Sequence, residues 1–470
     1  MLRVTQGPLL HDLSDNVVQP MRGYIAMSTG AQQLSLPLKN LRNKPTRSPL
    51  TRRFSGIHCS TLNIQRAVDK PGAFPHDGHV RERIRRSFSR PARIAGPLRS
   101  WSDSMKVGIP REIKNHEYRV AITPAGVHEL VGRGHDVVIE SGAGVGSSFT
   151  DADFKTAGAQ ILDSADEVWA SADLLLKVKE PIVEEYSRLR EGQVLFTYLH
   201  LAASVECTDA LLASGTTSIA YETVTRRDGS LPLLAPMSEV AGRLAPQVGA
   251  YHLMKPSGGR GVLMGGVPGV RPARVVVIGA GVSGSNAVAI ALGMQADVTV
   301  LDLSAARLRE IDARFHGQVK TIASNALELE LAVSEADLVI GAVLVPGAKA
   351  PKLISNELVS TMIPGSVLVD IAIDQGGCFE DSRPTTHADP TFQVHNSVVY
   401  CVANMPGAVP RTSTYALTNA TMPYVIALAE KGWRQATDAD TGLANGLSTH
   451  EGKLLSPEVA AAHQYEVTSV

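Results

Sequence analysis

From Met105 onward, short apolar runs of strand length alternate with longer segments whose apolar positions recur at helical spacing. The first half predicts strands at 106–109, 136–140, 174–178, 194–198 and 217–221. Helices are predicted between them at 124–132, 164–172, 183–190 and 205–214. Thr123 followed by Pro124 is a helix start, with the threonine as cap and the proline in the first turn. A long helix over 238–254 then reads as a rigid connector, followed by a glycine-rich loop over 258–269. The second half predicts strands at 275–278, 297–301, 319–323, 338–343, 366–372 and 398–402, with helices at 286–294, 304–314, 325–334 and 412–433. Residues 440–470 carry no clear period. Strands alternating with helices argue for α/β architecture with doubly wound, mostly parallel sheets.

One stretch joins that pattern to chemistry. The β-branched run Val275 to Ile278 suits a strand buried on both faces, and Gly279, Gly281 and Gly284 follow it at G-x-G-x-x-G spacing. The first glycine allows the tight turn, the second admits a pyrophosphate to the backbone, and the third lets helix and strand pack closely. Asp302 ends the next strand, where a carboxylate accepts ribose hydroxyls and repels a 2′-phosphate. The expected cofactor is therefore NAD. Arg307, one turn into the following helix, is the residue that could instead meet a phosphate.

Composition changes the picture at the N-terminus. Of 470 residues, 44% are hydrophobic and 19% charged, which suits a globular protein with several cores. Residues 1–104 hold 17 Lys+Arg against 6 Asp+Glu, leaving 28 basic and 40 acidic residues in the remainder. The acidic body is unsuited to nucleic acid. Residues 1–104, rich in Pro, Ser and Arg and without period, read as a disordered extension. A targeting peptide and a polybasic arm are alternatives. The preferred reading is sequence upstream of a true start at Met105, since regular patterning begins there. No run has the apolar length of a membrane span. Cys59, Cys207, Cys378 and Cys401 lack metal or disulfide spacing and suit a reducing, cytoplasmic setting.

Ligands of parallel sheets sit beyond the carboxyl ends of strands. That rule selects Lys179, His200 and Asp374, and Arg119 after the first strand is a natural clamp for a carboxylate. Each has a plainer reading. Lys177 and Lys179 share a strand face and suit a solvated pair, His200 a structural histidine, Asp374 a cap before Gly376 and Gly377, and Arg119 a surface arginine.

The segment MKVGIPREIKNHEYRVAITP from Met105 resembles the opening of alanine dehydrogenases and of the related transhydrogenase α-subunits. LLLKVKEP, FTYLHLA, PMSEVAGR, DIAIDQGG and NMPGAVPRTSTYALTNATMPY resemble alanine dehydrogenase in the same order, over nearly all of 105–470 and none of 1–104. The resemblance implies two Rossmann-like doubly wound domains around a cleft, joined by long connector helices. The expected boundaries are 1–104 for the extension, 105–235 with 407–470 for a discontinuous substrate domain, and 236–406 for the NAD-binding domain. It implies Arg119 and Lys179 as substrate ligands and His200 and Asp374 as catalytic residues. Implied cofactor contacts are Ser238, Val282, Ser283, Asp302, Arg307, Ser324, Val343, Leu344, Ile371, Ala372, Ile373, Asp374, Arg383, Val402, Ala403, Asn404 and Met405, beside the three glycines. Some relatives hold magnesium on the last long helix. The matching positions here are Ala427 and Lys431, which offer it no ligand, so no metal is expected. The implied reaction interconverts L-alanine with pyruvate and ammonium in a homohexamer, without nucleic acid or membrane as partner. Rival readings are a transhydrogenase nucleotide-binding subunit, a dehydrogenase of a larger oxo acid such as the saccharopine-forming type, and a silent NAD-sensing or scaffold protein.

Overall fold

The structure is a computed structural model, and it describes residues 104–343 and 350–468. The expectation for the N-terminal extension therefore lies, Ser104 apart, outside the described residues, as does Leu344. Six parallel strands open the fold: β1 (Lys106–Ile109), β2 (Asp136–Glu140), β3 (Gln160–Leu162), β4 (Leu174–Leu176), β5 (Val194–Thr197) and β6 (Thr217–Ala220). The second sheet takes β7 (Arg274–Ile278), β8 (Asp297–Asp302), β9 (Lys320–Ala323), β10 (Leu338–Gly341), β11 (Val367–Asp370), β12 (Thr391–Val394) and β13 (Ser397–Tyr400), with only β12 antiparallel. The chain then returns. β14 (Leu447–His450) lies antiparallel beside β6, and β15 (Lys453–Leu454) completes that edge.

Spatial orders are β15-β14-β6-β5-β4-β1-β2-β3 and β12-β13-β11-β10-β7-β8-β9. In both sheets the strand order reverses beside the first strand of the set, β1 against β4 and β7 against β10. A doubly wound sheet opens a crevice at such a point. The central strands read as continuous apolar runs because helices cover both faces: Leu174, Leu175 and Leu176 are wholly buried, as are Val275, Val277, Leu338 and Ile340. Each such side chain contributes about 1.5–3 kcal/mol of burial free energy.

Helix starts follow local chemistry. The Thr123 hydroxyl accepts from the Gly126 N–H at 3.3 Å, and Pro124 fills the first turn of Pro124–Gly132. The connector runs Ala235–His252 and packs on Val282–Gly293. Gly242 permits that approach, since a Cβ there would stand 2.1 Å from the Ser283 carbonyl oxygen. The same helix touches the turns Ile371–Gln375 and Met405–Ala408, and the last long helix, Pro410–Ala439.

Two expectations need correction. The segment 183–190 is not a helix but a loop with one 3-10 turn, Tyr186–Arg188, because Glu184, Glu185 and Arg188 serve side-chain and backbone contacts there rather than one apolar face. The strand expected over 366–372 ends at Asp370, whose carboxylate accepts the Ala372 N–H and turns the chain.

Candidate active site

The carboxyl ends of β1, β4, β5 and β6 converge polar side chains at the crevice of the first sheet. The loop after β1 carries Glu112, Lys114, Glu117 and Arg119; β4 runs out into Lys177, Lys179 and Glu180; β5 leads to His200 and β6 to Glu222. His200 adopts left-handed backbone angles, φ 49° and ψ 37°, unusual for a residue with a Cβ. Glu222 holds it there, accepting the N–H of His200 at 2.6 Å and that of Leu199 at 3.2 Å. The imidazole Nδ1 lies 3.6 Å from Glu180 Oε2, and 37% of the side chain remains accessible. The imidazole is thus not sealed in the core. Burial pulls the imidazole pKa down, but Glu222 and then Glu180 outweigh it and Lys179, holding it above its ordinary value. Glu180 is itself pushed up by burial, yet His200, Lys179 and Lys114 bring it down to about 2, so it stays ionised. Lys114 pairs directly with its other oxygen.

Arg119 is no surface arginine: its side chain is 2% exposed. Its Nε and one terminal nitrogen donate to Glu117 at 2.7 and 2.5 Å. That same nitrogen donates to Asn404 Oδ1 at 2.9 Å, and the other terminal nitrogen faces Met237 Sδ at 3.0 Å. Burial opposes ionisation of Glu117, but Arg119 overrides it and takes the carboxyl down to about 2. One edge of the guanidinium is therefore filled by Glu117 and Asn404, and its other end packs on Met237. Tyr198, its ring centroid 5.8 Å from that of His200, lies between the Arg119 and His200 neighbourhoods and donates its hydroxyl to the Leu233 carbonyl at 2.5 Å.

The lysine pair separates. Lys179 is half-buried beside His200, whereas Lys177 is 1% exposed and bonded to Glu112 and Glu185, so the solvated-pair reading fails for Lys177. Asp374 is exposed in the turn after β11. It is not the turn's cap. Asp370, wholly buried, performs that role, taking N–H groups from Ala372 at 2.9 Å and Cys378 at 2.8 Å and the hydroxyl of Ser382. Among the described residues, Asp374 has no hydrogen bond to His200 or Arg119.

The second sheet's crevice carries the glycine turn. Gly279 has φ 100°, and a Cβ at Gly284 would lie 1.7 Å from the Gly279 carbonyl oxygen. Asp302 accepts the Ala280 N–H at 2.6 Å and the Ser304 N–H at 2.7 Å, leaving lone pairs on both oxygens. Ala280, Gly281, Val282, Ser285, Arg307 and Arg314 help line a concavity of about 320 Å³. Val343, Ile371, Ala372 and Ile373 follow β10 and β11 on the same edge, and Val402 to Met405 follow β13. Ser238 and Ser283 are half-buried on the two packed helices, and Ser324 follows β9. Arg383 instead stacks its guanidinium 4.3 Å over the Phe392 ring.

Sequence reasoning missed Glu112, Glu117, Glu180, Glu185, Glu222 and Asp370. Five of these six follow β1, β4 or β6 or end β11, where the strand-end rule that selected Lys179 and His200 applies equally; Glu185 lies in the loop after β4.

Family models for the alanine dehydrogenase/PNT N-terminal and C-terminal domains match residues 108–241 and 245–457. The alanine dehydrogenase of Mycolicibacterium smegmatis is 71% identical over 356 residues, 76% of this chain and 96% of that protein. A solved L-alanine dehydrogenase superposes with a TM-score of 0.75 at 50% identity, covering 77% of this chain and 99% of the other. A transhydrogenase from Sinorhizobium meliloti superposes at 0.66 with 28% identity, covering 74% and 100%.

Proposed function

Since the chain belongs to the alanine dehydrogenase/PNT family, we propose that it is an NAD-dependent L-alanine dehydrogenase, interconverting L-alanine and water with pyruvate and ammonium. The observation that carries the reading is the edge of the first sheet, where Arg119, Lys179 and a half-exposed His200 stand within one polar cluster.

The residues of the second crevice fit NAD. Three glycines leave the cradle free of side chains, and the N-terminus of Val282–Gly293 offers N–H groups to phosphate. Asp302 is suited to ribose hydroxyls and would repel a 2′-phosphate. Ser238, Ser283, Arg307, Ser324, Val343, Leu344, Ile371 to Asp374, Arg383 and Val402 to Met405 complete the proposed contact set. NAD held by these residues would supply the hydride donor or acceptor for the substrate carbon.

The chain's own residues do the rest. The Met237-facing end of Arg119 and the Lys179 ammonium take the pyruvate carboxylate and carbonyl. Glu117 already balances Arg119, and Lys179 adds a second positive charge beside Glu180. After ammonia adds, protonated His200 donates to the oxygen that leaves as water. In the reverse direction neutral His200 takes a proton from the water attacking iminopyruvate. Asp374 is suited to orient ammonia or water. The glutamates beside His200 keep it protonated to higher pH, which favours its acid role.

The transhydrogenase reading is weaker, at 28% identity against 71% for the alanine dehydrogenase relative. The test is direct: the full chain alone, given NADH, pyruvate and ammonium, should oxidise NADH, and should reduce NAD with L-alanine. Omitting ammonium, or replacing pyruvate by oxoglutarate, should abolish most of the rate. His200→Ala should lower kcat by about 10² to 10⁴ while leaving NADH affinity intact. Wild-type turnover in that variant would sink the assignment. A homohexamer is proposed from the resemblance, with sedimentation equilibrium as its measure. A cytoplasmic setting fits Cys207, Cys378 and Cys401, all free and buried.

A further inference from the structure

We propose that Glu112, Lys177 and Glu185 form a buried positioning device that sets the loop bearing Lys179, a role that rests on Lys179 being the substrate ligand described above. The Lys177 ammonium lies 3.1 Å from Glu112 Oε2 and 2.8 Å from Glu185 Oε1, and all three side chains are at most 3% exposed. Three buried charges are a poor way to gain stability, since apolar packing of the same volume serves as well or better. What distinguishes these carboxylates is what their remaining lone pairs accept. Glu112 Oε1 takes the backbone N–H of Val178 at 2.6 Å and that of Lys179 at 3.4 Å; Glu185 Oε2 takes that of Ile182 at 3.1 Å.

The place in the chain gives these bonds their meaning. The Lys177 N–H still reaches across to the Phe196 carbonyl at 3.3 Å and the Val178 carbonyl accepts the Tyr198 N–H at 3.4 Å, after which the segment leaves the sheet. From there the backbone N–H groups need acceptors, and the two glutamates supply them. Thr197 holds the other side, its hydroxyl donating to the Lys179 carbonyl at 3.1 Å. The segment with Lys179 and Glu180 is thus gripped before and after. Glu112 belongs to the loop after β1 that leads to Arg119, so the cluster also ties the two proposed substrate-binding loops together. Lys177 is the counter-ion that lets two carboxylates remain buried at this spot. It never touches substrate in this scheme.

The experiment compares full-length Lys177→Met, Glu112→Gln and Lys179→Met with wild type. Hydrogen exchange is read over 177–184, together with pyruvate KM, kcat and NADH affinity. Lys177→Met should speed exchange at Val178, Lys179 and Ile182 and raise pyruvate KM roughly ten- to hundredfold, with NADH affinity unchanged. Lys179→Met should raise KM without altering exchange at Val178 and Ile182. Glu112→Gln keeps the oxygen facing the N–H groups but turns an NH₂ toward Lys177, so it should act in the same direction and less strongly. Unaltered exchange in a folded variant overturns the proposal, as does an equal loss of pyruvate and NADH affinity. If Lys177→Met does not fold, Glu112→Gln decides by the same criteria. A wild-type chain inert toward pyruvate would refute the functional reading instead, and the exchange data would still judge the device.

Discussion

His200 stands on a backbone conformation that only neighbouring carboxylates make tolerable, and the same carboxylates set its charge. Glu222 grips the N–H of His200 while raising the imidazole pKa; Glu180 adds to the rise from the Nδ1 side; burial and Lys179 oppose both. Glu222→Gln removes the charge and keeps one acceptor, so the pKa falls. In the amination direction His200 acts protonated, and the alkaline limb of kcat/KM for pyruvate should move to lower pH. In deamination the acid limb should move the same way. A limb that stays in place in both directions would remove Glu222 from the electrostatic account. Lys179, His200 and Asp374 could be picked out as candidates in the sequence because strand ends announce themselves as the last residues of apolar runs, and Arg119 because a guanidinium suits a carboxylate. Their carboxylate partners were not, because a glutamate in a loop carries no sign of what its oxygens will accept. Lys177 and Lys179 make the point: two residues apart on one strand, one is buried between glutamates and the other faces the crevice.

The helix Ala235–His252 gathers the parts. It meets Arg119 through Met237, the turns of Asp374 and Met405, and the helix that opens at Val282. Its fit against that helix depends on Gly242, where any side chain would strike backbone. Gly242→Ala should therefore force the helices apart, cost about 1–3 kcal/mol of stability, and weaken NADH binding. Fluorescence titration of NADH is the check, and unchanged affinity would mean that the contact serves packing alone. The helix and the glycine turn could be anticipated, since a long apolar period and a G-x-G-x-x-G are local patterns. Strands β3, β12, β14 and β15 could not. All four have only two to four residues, β3, β12 and β15 lie at sheet edges, and pairing across the sheet rather than local preference creates them. Likewise the apolar content of 183–190 suggested a helix, and ion pairs drew the segment into a loop.

At the level of the whole molecule, Asn404 is the polar link between the loop after β13 in the second sheet and the arginine of the first. It donates to Glu117 at 2.9 Å and accepts from Arg119 at 2.9 Å, from left-handed angles of φ 61° and ψ 44°. Asn404→Ala should raise pyruvate KM and NADH Kd together, each roughly tenfold, because both crevices lose a shared support. A shift in one constant without the other would confine Asn404 to that side. The topology was only half legible: alternation announced two doubly wound sheets, but nothing local told that Leu447–His450 would seek out β6. That return has a temporal consequence. On the ribosome, every strand of the second sheet emerges from the single stretch 274–400, whereas the first sheet awaits residues 447–454. The part translated later is thus finished earlier, and the part born first keeps a bare edge along β6 until residues 447–450 are made.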